Sequence, residues 1–368
     1  MKNNMQLAVA LALGAIGTSA AAQTSISNIT LYGRINTTVE RQKFEPPSGP
    51  SETVTGLFNN ASRWGFRGTE DLGGGLKALF QLESGFGSDS GQLTNNPSTT
   101  GASVGLFNRE SFLGISGSFG TVRAGRITSP VYFASADYIS LHNHDTGSSS
   151  DALFNFAATG VNNNNTIAYK TPDFSGANVE GAYSFAAGFF PENPVAFNER
   201  PGSNNQTNLQ VAVNWQGGPL HLGGGYAVMT DKSGQALAPP VAKTETDLLV
   251  IRALYEMGAF TLGAYYELSN FDDGTNDRDR NNFRLSGMYA MGASEFHLNY
   301  GWADDVSGLP DTGATQFTAA YNYNLSKRTK VYGYYTLIDG DSLASNYKFS
   351  LLPSGKFSAI ALGLRHNF

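Results

Sequence analysis

Three short stretches of the sequence carry residue types that do chemistry in other proteins. GASVG, at 101–105, fits the G-x-S-x-G pattern of a serine nucleophile, but its Ser, Gly and Asn neighbours predict a polar loop and not the strand-turn-helix context of that motif. HNHD, at 142–145, offers two imidazoles without a third ligand at useful spacing for zinc. DDGTNDRDRNN, at 272–282, lacks the ligand spacing of a calcium loop. We therefore expect no catalytic residue, no metal site and no cofactor.

The first residues have the layout of a cleaved secretory signal. Lys2 precedes an apolar stretch at 7–16, and three alanines at 20–22 precede Gln23. The apolar stretch is shorter than the about 20 residues that span a bilayer. The sequence thus predicts a signal peptide at 1–22 and one exported domain at 23–368.

The composition of the whole chain is unusual for a soluble secreted domain. It is rich in Gly (43), Phe (24) and Tyr (17), with 14 Pro and 0 Cys, and its mean hydropathy is -0.24. No apolar run long enough for a transmembrane helix follows Gln23. The net charge of -6 gives no reason to expect a nucleic-acid partner. It also says little about ion preference, because salt screens loop acids beyond about 8 Å.

The hydrophobic pattern has a period of two. In TNLQVAVNW, Leu209, Val211, Val213 and Trp215 alternate with polar and small residues. Similar alternation predicts sixteen strands, at 28–40, 61–70, 76–86, 109–117, 121–127, 165–170, 178–186, 207–215, 219–229, 247–256, 259–269, 282–291, 294–302, 316–325, 329–338 and 357–368.

The connections between these strands alternate between short turns and long polar loops. Strands of about 10 residues in even number, apolar on one face and polar on the other, are typical of an outer-membrane barrel. A closed barrel leaves no unpaired strand edge in lipid. The fold class we predict is therefore all-β, a 16-stranded antiparallel transmembrane β-barrel. The alternative is a soluble all-β protein whose two faces are core and solvent, and solubility of the signal-free chain without detergent would favour it.

Four stretches of the chain carry a family resemblance. NITLYGRINTTVE, SRWGFRGTEDLGGGLKALFQLESGF, RESFLGISGSFGTVRAGR and the closing ALGLRHNF resemble the general porins of Gram-negative bacteria, most closely those of the betaproteobacterial and neisserial group. The resemblance implies a homotrimer in the outer membrane, in contact with its lipid and lipopolysaccharide, and passive diffusion of small hydrophilic solutes and ions. It also implies a third long loop folded into each lumen, and recognition of Phe368 by the barrel assembly machinery.

Strand parity predicts which side chains face the lumen. Trp64 and Phe66 take the lipid side, and we expect Arg109 to point inward with Ser111 while Phe112 points outward. The inward set on the first five strands is Arg34, Arg63, Arg67, Lys77, Glu83, Arg109 and Arg123. The resemblance implies that Arg34, Arg63 and Arg109 form a basic cluster facing the loop, with Glu83 as an acidic lumen position.

The loop after the fifth strand completes the predicted constriction. It carries Asp137, Asp145 and Asp151, and carboxylates facing arginines create a transverse field across a narrow opening. Related porins often have an arginine near the place of Gly160, so this cluster is one base weaker. We predict a weakly anion-selective channel. The alternatives are a channel that prefers a solute such as an organic acid, or an outer-membrane barrel adhesin or enzyme.

Overall fold

The computed structural model describes residues 28–93, 105–142, 147–185, 206–232, 243–342 and 355–368. The predicted signal peptide at 1–22 and residues 101–104 of GASVG lie outside these ranges. Within them, one antiparallel β-sheet closes on itself, which confirms the predicted barrel.

Sixteen barrel strands, numbered here in chain order, form this sheet. Fifteen are continuous: β1 (Asn28–Glu45), β3 (Leu76–Gly85), β4 (Ser111–Gly117), β5 (Gly120–Thr128), β6 (Asn162–Lys170), β7 (Ala177–Ser184), β8 (Gln206–Gly217), β9 (Leu220–Asp231), β10 (Thr244–Met257), β11 (Phe260–Asp272), β12 (Asp277–Met291), β13 (Ser294–Ala303), β14 (Ala314–Asn324), β15 (Thr329–Gly340) and β16 (Gly355–Asn367).

The second barrel strand, β2, consists of two segments, Glu52–Asn59 and Arg63–Gly73, which both pair with β1. Ala61, between them, has a φ of 57°, a value that interrupts an extended strand. The sequence predicts only the second segment, because the first has polar and apolar residues on both of its faces. A test for period-two alternation cannot find such a strand.

The seam of the barrel joins β1 to β16. The amide of Gly33 donates to the carbonyl of Phe368 at 3.1 Å, and the amide of Phe368 donates to the carbonyl of Gly33 at 3.0 Å. The Phe368 ring lies over Gly33, where a Cβ would be 2.3 Å from the ring. A glycine is therefore required here by close approach, and the last residue of the chain is part of the closed sheet.

The two faces of the sheet follow the predicted parity on most strands. Large apolar side chains project from the outer face and are exposed in the single chain, as Leu113 (64%) and Leu362 (73%) are. The opposite parity is polar, with Asn36, Gln210 and Thr336 almost fully buried. The short turns are glycine-rich: Gly73, Gly74 and Gly75 all adopt positive φ, which side chains disfavour.

The segment 129–161, which we call the inner loop, connects β5 to β6. It contains α1 (Pro130–Ala134), α2 (Ala136–Ile139), a 3₁₀ turn (Gly147–Ser149) and α3 (Phe156–Thr159). Ser129 caps α1 by accepting a hydrogen bond from the Tyr132 amide. None of the described helices is long and apolar enough to cross a membrane.

Candidate functional site

Polar side chains of the inner sheet face hold the backbone of the inner loop. Arg252 donates to the Ala134 carbonyl at 2.7 Å, and Asn282 donates to the Leu153 carbonyl at 2.8 Å. Gln316 donates to the Ser150 carbonyl at 2.8 Å and accepts from the Ala152 amide at 3.0 Å. These contacts satisfy loop backbone groups that are buried away from solvent. The inner loop therefore lies on the inner side of the sheet.

Two buried carboxylates add charge-assisted contacts between the loop and the wall. Glu40 on β1 accepts from Ser148 at 2.9 Å and from Tyr334 at 2.7 Å. Asp151 of the loop accepts from Tyr265 at 2.7 Å and lies 3.3 Å from the Arg284 guanidinium. Such pairs are strong only when both partners keep their hydrogen bonds. Arg284 also donates to Gln316 at 3.4 Å, whereas its buried Nε atom has no hydrogen-bond partner.

Asp151 therefore differs from its expected role. The sequence places it on the constriction, opposite the arginines of β1–β5, but its side chain is almost fully buried and its charge is paired on β12. Because it also accepts from the amides of Leu153 and Phe154, it fixes the local chain and holds the loop to the far wall.

Three apolar side chains of the inner loop fit against glycines of the wall. Val131, Ile139 and Leu153 are all at most 1% exposed. A Cβ added to Gly225 would lie 3.0 Å from Val131, one on Gly263 would lie 3.0 Å from Ile139, and one on Gly301 would lie 3.1 Å from Leu153. The missing side chains of these three glycines leave the space that the loop occupies.

A histidine pair lies at the point where the inner loop crosses β13. The rings of His142 and His297 are 5.2 Å apart, and the His142 ring also contacts Tyr332 and Tyr334. Burial, and then the neighbouring His297, lower the pKa of His142 well below its usual value. His142 is thus packed in its neutral form.

The other face of the inner loop is more accessible. Phe133 is exposed, and Asp137 and Tyr138 are partly exposed. The Tyr138 hydroxyl bonds His221 at 2.8 Å, and the Arg252 guanidinium stacks 3.4 Å from the Tyr138 ring centroid. Asp145 lies outside the described residues. Of the three predicted loop acids, Asp137 is the described one that remains partly exposed.

The hydrogen bonds that attach the described loop to distant strands fall on one part of the barrel. They come from β1, from β8 to β12, and from β14 and β15. The inward residues of β2 to β5, where the sequence predicts the basic cluster, lie away from these attachments.

Arg109 and Glu83 come together on the inner face of β2 to β5 and the neighbouring start of β1, which we call the uncovered wall. The Arg109 Nε atom is 2.5 Å from Glu83 Oε1, and the Tyr32 hydroxyl donates to Glu83 Oε2 at 3.0 Å. The expected parity was wrong around this pair: β4 starts at Ser111, which pairs with the outward Leu82. Arg109 nevertheless reaches the inner face, because it precedes the regular strand.

Phe112 faces inward, contrary to the sequence prediction. It pairs with the inward Gln81, and the Arg123 guanidinium lies 5.1 Å from its ring centroid. It also packs with Ile127 and Ala168 in a small inner cluster. The outward residues of β4 are Leu113 and Ile115, which are exposed. The pair Leu113 and Ile115 was the sequence signal for the correct parity.

Arg123 points inward, as its parity predicts, and lies between two carboxylates. It forms an ion pair with Glu180 on β7, and its Nη1 atom is 4.0 Å from Glu110. Glu110 also accepts from Gln81 at 2.6 Å. Glu83 is therefore not the one inward acid of this wall, because Glu110 and Glu180 share it.

The remaining predicted bases lie on the same face. Arg34 and Arg63 are directly paired across β1 and β2, and Arg34 donates to Asn367 at 3.1 Å. Arg67 is exposed, with its guanidinium 4.9 Å from the Tyr32 ring centroid. Lys77 is exposed near the short-turn end, opposite Asp71. The arrangement provides guanidinium groups for anions, with carboxylates interleaved among them.

Sequence reasoning missed most of the residues that hold the inner loop. Strand alternation predicts the inward parity of these residues but not their partners in the loop. They include Glu40, Arg252, Arg284 and Gln316. Within the described residues, no group of three or more His, Asp or Glu side chains has the geometry of a metal site.

Comparison with known proteins agrees with this architecture. A family model described as Gram-negative porin matches residues 8–343. The outer membrane porin protein 32 of Delftia acidovorans is 30% identical over 383 residues, which cover 97% of this chain and 99% of that protein. An outer membrane porin of Bordetella pertussis is 29% identical over 406 residues, with coverages of 98% and 99%. The solved structure of an anion-selective porin from Comamonas acidovorans has a TM-score of 0.74 and 29% identity, and covers 93% of this chain and 100% of that one.

Proposed function

The chain belongs to the Gram-negative porin family, and from this premise we propose that its pore passes small hydrophilic solutes and ions with a weak preference for anions. Members of this family are outer-membrane channels for passive diffusion and not enzymes. The observation that carries the anion preference is the set of guanidinium groups on the inner face of β1 to β5. The similar porin from Comamonas acidovorans, described as anion-selective, supports the same sign.

The pore-lining residues that we propose are those of the uncovered wall and the accessible loop face. They are Arg34, Arg63, Arg67, Lys77, Glu83, Arg109, Arg123 and Asp137. Guanidinium groups keep their charge at any physiological pH, so they attract an anion that passes at contact distance. The interleaved carboxylates oppose this attraction, which is why we expect the preference to be weak.

Three further features belong to the same proposal. Residues 1–22 are removed as a signal peptide, the mature chain forms a homotrimer, and Phe368 is the signal that the barrel assembly machinery recognises. The position of Phe368 in the seam supports a role in closing the barrel, since its backbone completes the pairing with Gly33.

The sign of the selectivity is tested by the reversal potential of channels in a planar bilayer under a KCl gradient. We expect chloride to permeate more readily than potassium, and the triple replacement of Arg34, Arg63 and Arg109 by Ser to shift the reversal potential toward cations. A triple replacement by Ser at the exposed Arg41 and Arg328 and the partly exposed Arg278 controls for loss of charge elsewhere. An unaltered channel that prefers potassium contradicts the proposal.

A further inference from the structure

Besides Glu83, the inner wall carries two acids, Glu110 and Glu180, whose charges oppose the arginines. We propose that Glu110 and Glu180 determine how strongly the channel selects anions, because their two carboxylates lie beside the single guanidinium of Arg123 and offset its charge, and that of Lys170 opposite Glu180. This inference rests on the proposed function and deepens it. It assigns the weakness of the anion preference to two named residues on β7 and at the entrance of β4.

The contacts fix the three side chains as one group, which we call the Arg123 triad: Glu110, Arg123 and Glu180. The Arg123 guanidinium binds Glu180 directly and lies 4.0 Å from Glu110. It stacks on the Phe112 ring, which leaves its edge for the carboxylates. One guanidinium between two carboxylates gives the triad a formal charge of minus one.

The triad is accessible to the pore solution. Its side chains are partly buried but not sealed, with exposures of 19% for Arg123 and 13% for each glutamate. A charge at this depth is screened less than one on the outer loops, so it acts on an ion in the pore.

The neighbouring charges show what the triad opposes. Arg67 is exposed and stacks on Tyr32, and none of the described carboxylates lies within ion-pair distance of it. Arg109 is matched by Glu83. Gln81 lies between Arg67 and the Arg123 triad, because it is directly opposite Arg67 and donates to Glu110 at 2.6 Å. An anion drawn toward Arg67 thus approaches the negative triad.

The test is to neutralise the acids one at a time in the full-length channel and to measure the chloride-to-potassium permeability ratio from the reversal potential. We expect Glu180→Gln and Glu110→Gln each to raise this ratio by roughly twofold, as for one partly screened charge a few ångströms from the ion. The double variant raises it further. Glu180→Asp, which keeps the charge, leaves the ratio close to that of the unaltered channel.

A charge-balanced variant separates selectivity from structure. Replacing Arg123 and Glu180 together by Gln removes one charge of each sign, and we expect a ratio close to the unaltered value. Glu70→Gln, on the outer face near a short turn, is the matched control and leaves the ratio unchanged. Retained oligomer mobility on gels without heating shows that each variant has assembled.

Two results overturn the inference. One is an unchanged ratio in Glu180→Gln and Glu110→Gln channels that assemble; the other is an equal shift in Glu70→Gln. If the single variants fail to assemble, Glu110→Gln is introduced into the charge-balanced variant, where it removes the remaining acid of the triad. We expect this change to raise the ratio, and an unchanged ratio overturns the inference. Failure of the proposed function is a different observation, namely a preference for potassium in the unaltered channel.

Discussion

At the scale of single residues, parity gives the face of a side chain but not its partner. The sequence correctly indicates that Arg123 points inward, because Val122 and Ala124 flank it. It does not indicate Glu180, which lies two strands away and reaches Arg123 only through the register of β5, β6 and β7. A selectivity argument that counts arginines by parity therefore overestimates the positive charge of this wall.

Phe112 shows a second limit at this scale. The assignment of its parity assumed that an aromatic residue in a barrel strand faces lipid. A guanidinium beside an aromatic ring is also favourable, by about 0.5–1 kcal/mol at an exposed site. Arg123 supplies that alternative on the inner face, so the flanking Leu113 and Ile115 were the better guide.

His142 carries a prediction about acid. Because its pKa is lowered in the packed loop, the released loop binds a proton more readily as the pH falls below the usual imidazole value of about 6.5. Packing of the loop is therefore weakened by acid and is unaffected above that pH. We expect unaltered channels to show more closures or conductance changes as the pH falls from 7 toward 4.5.

The matched variants make this prediction specific. Phe at position 142 keeps an aromatic ring beside Tyr332 and Tyr334 but does not titrate, so the His142→Phe channel should lose most of the acid response. His366→Gln, on the outer face, should keep it. An identical pH dependence in all three channels contradicts the prediction. The other titratable or charged groups in this region are His297, Glu295, Lys330, Arg365, Glu40, Tyr332 and Tyr334.

At the scale of elements, fifteen of the predicted strands correspond to continuous barrel strands and one to the second segment of β2. Amphipathic alternation is strong where one face meets lipid and the other meets water, so the sequence reports those strands. The alternation is weak in Glu52–Asn59, so this strand segment was not predicted from the sequence. The path of the inner loop was predicted from resemblance and length, whereas its attachments depend on side chains of distant strands.

The three glycines beneath the inner loop support a prediction at this scale. A side chain larger than Ala at Gly263 would overlap Ile139, because even a Cβ approaches it to 3.0 Å. Overpacking of this kind costs about 1–3 kcal/mol. We expect Gly263→Val to displace α2 and change single-channel conductance while the barrel still assembles.

Gly287→Val is the matched control for the glycine prediction. Gly287 lies on the next strand, and a Cβ there meets Leu262 at an ordinary distance of 3.5 Å on the outer face. This variant should assemble with unchanged conductance. Equal conductances for Gly263→Val and the unaltered channel would show that the loop accommodates the added volume without moving into the pore.

At the scale of the whole molecule, each chain encloses its own pore. The sheet closes between β1 and β16 within one chain, and the inner loop is attached to strands of that same chain. A trimer of such barrels contains three separate pathways. We therefore expect the subunit contact of such a trimer not to contribute to the constriction, so that conductance and oligomer stability are separable properties.

The first five strands provide the outer face that we expect at the threefold contact. Leu31 and Leu113 project from it with exposures of 56% and 64%, and Gly33 and Gly68 lie among them. In lipid, large and small apolar residues on such a face allow two barrels to pack closely. This packing does not require an exposed charged side chain to be buried. The opposite side of the barrel, which includes Leu298 with an exposure of 59%, would then face lipid.

A pair of tryptophan substitutions tests this assignment. Leu113→Trp places extra volume in a packed contact, where overpacking costs about 1–3 kcal/mol per site, whereas fluid lipid accommodates the same change in Leu298→Trp. We expect unaltered and Leu298→Trp channels to close in three equal steps and to run as trimers without heating. Leu113→Trp should lower the temperature at which trimers dissociate while the single-pore conductance stays the same. Closure in one step by channels of monomeric mass contradicts the proposed contact, and so does dissociation that is caused by Leu298→Trp alone. Conductance and assembly can be measured separately in this test, because a barrel that closes on itself conducts whether or not its neighbours are present.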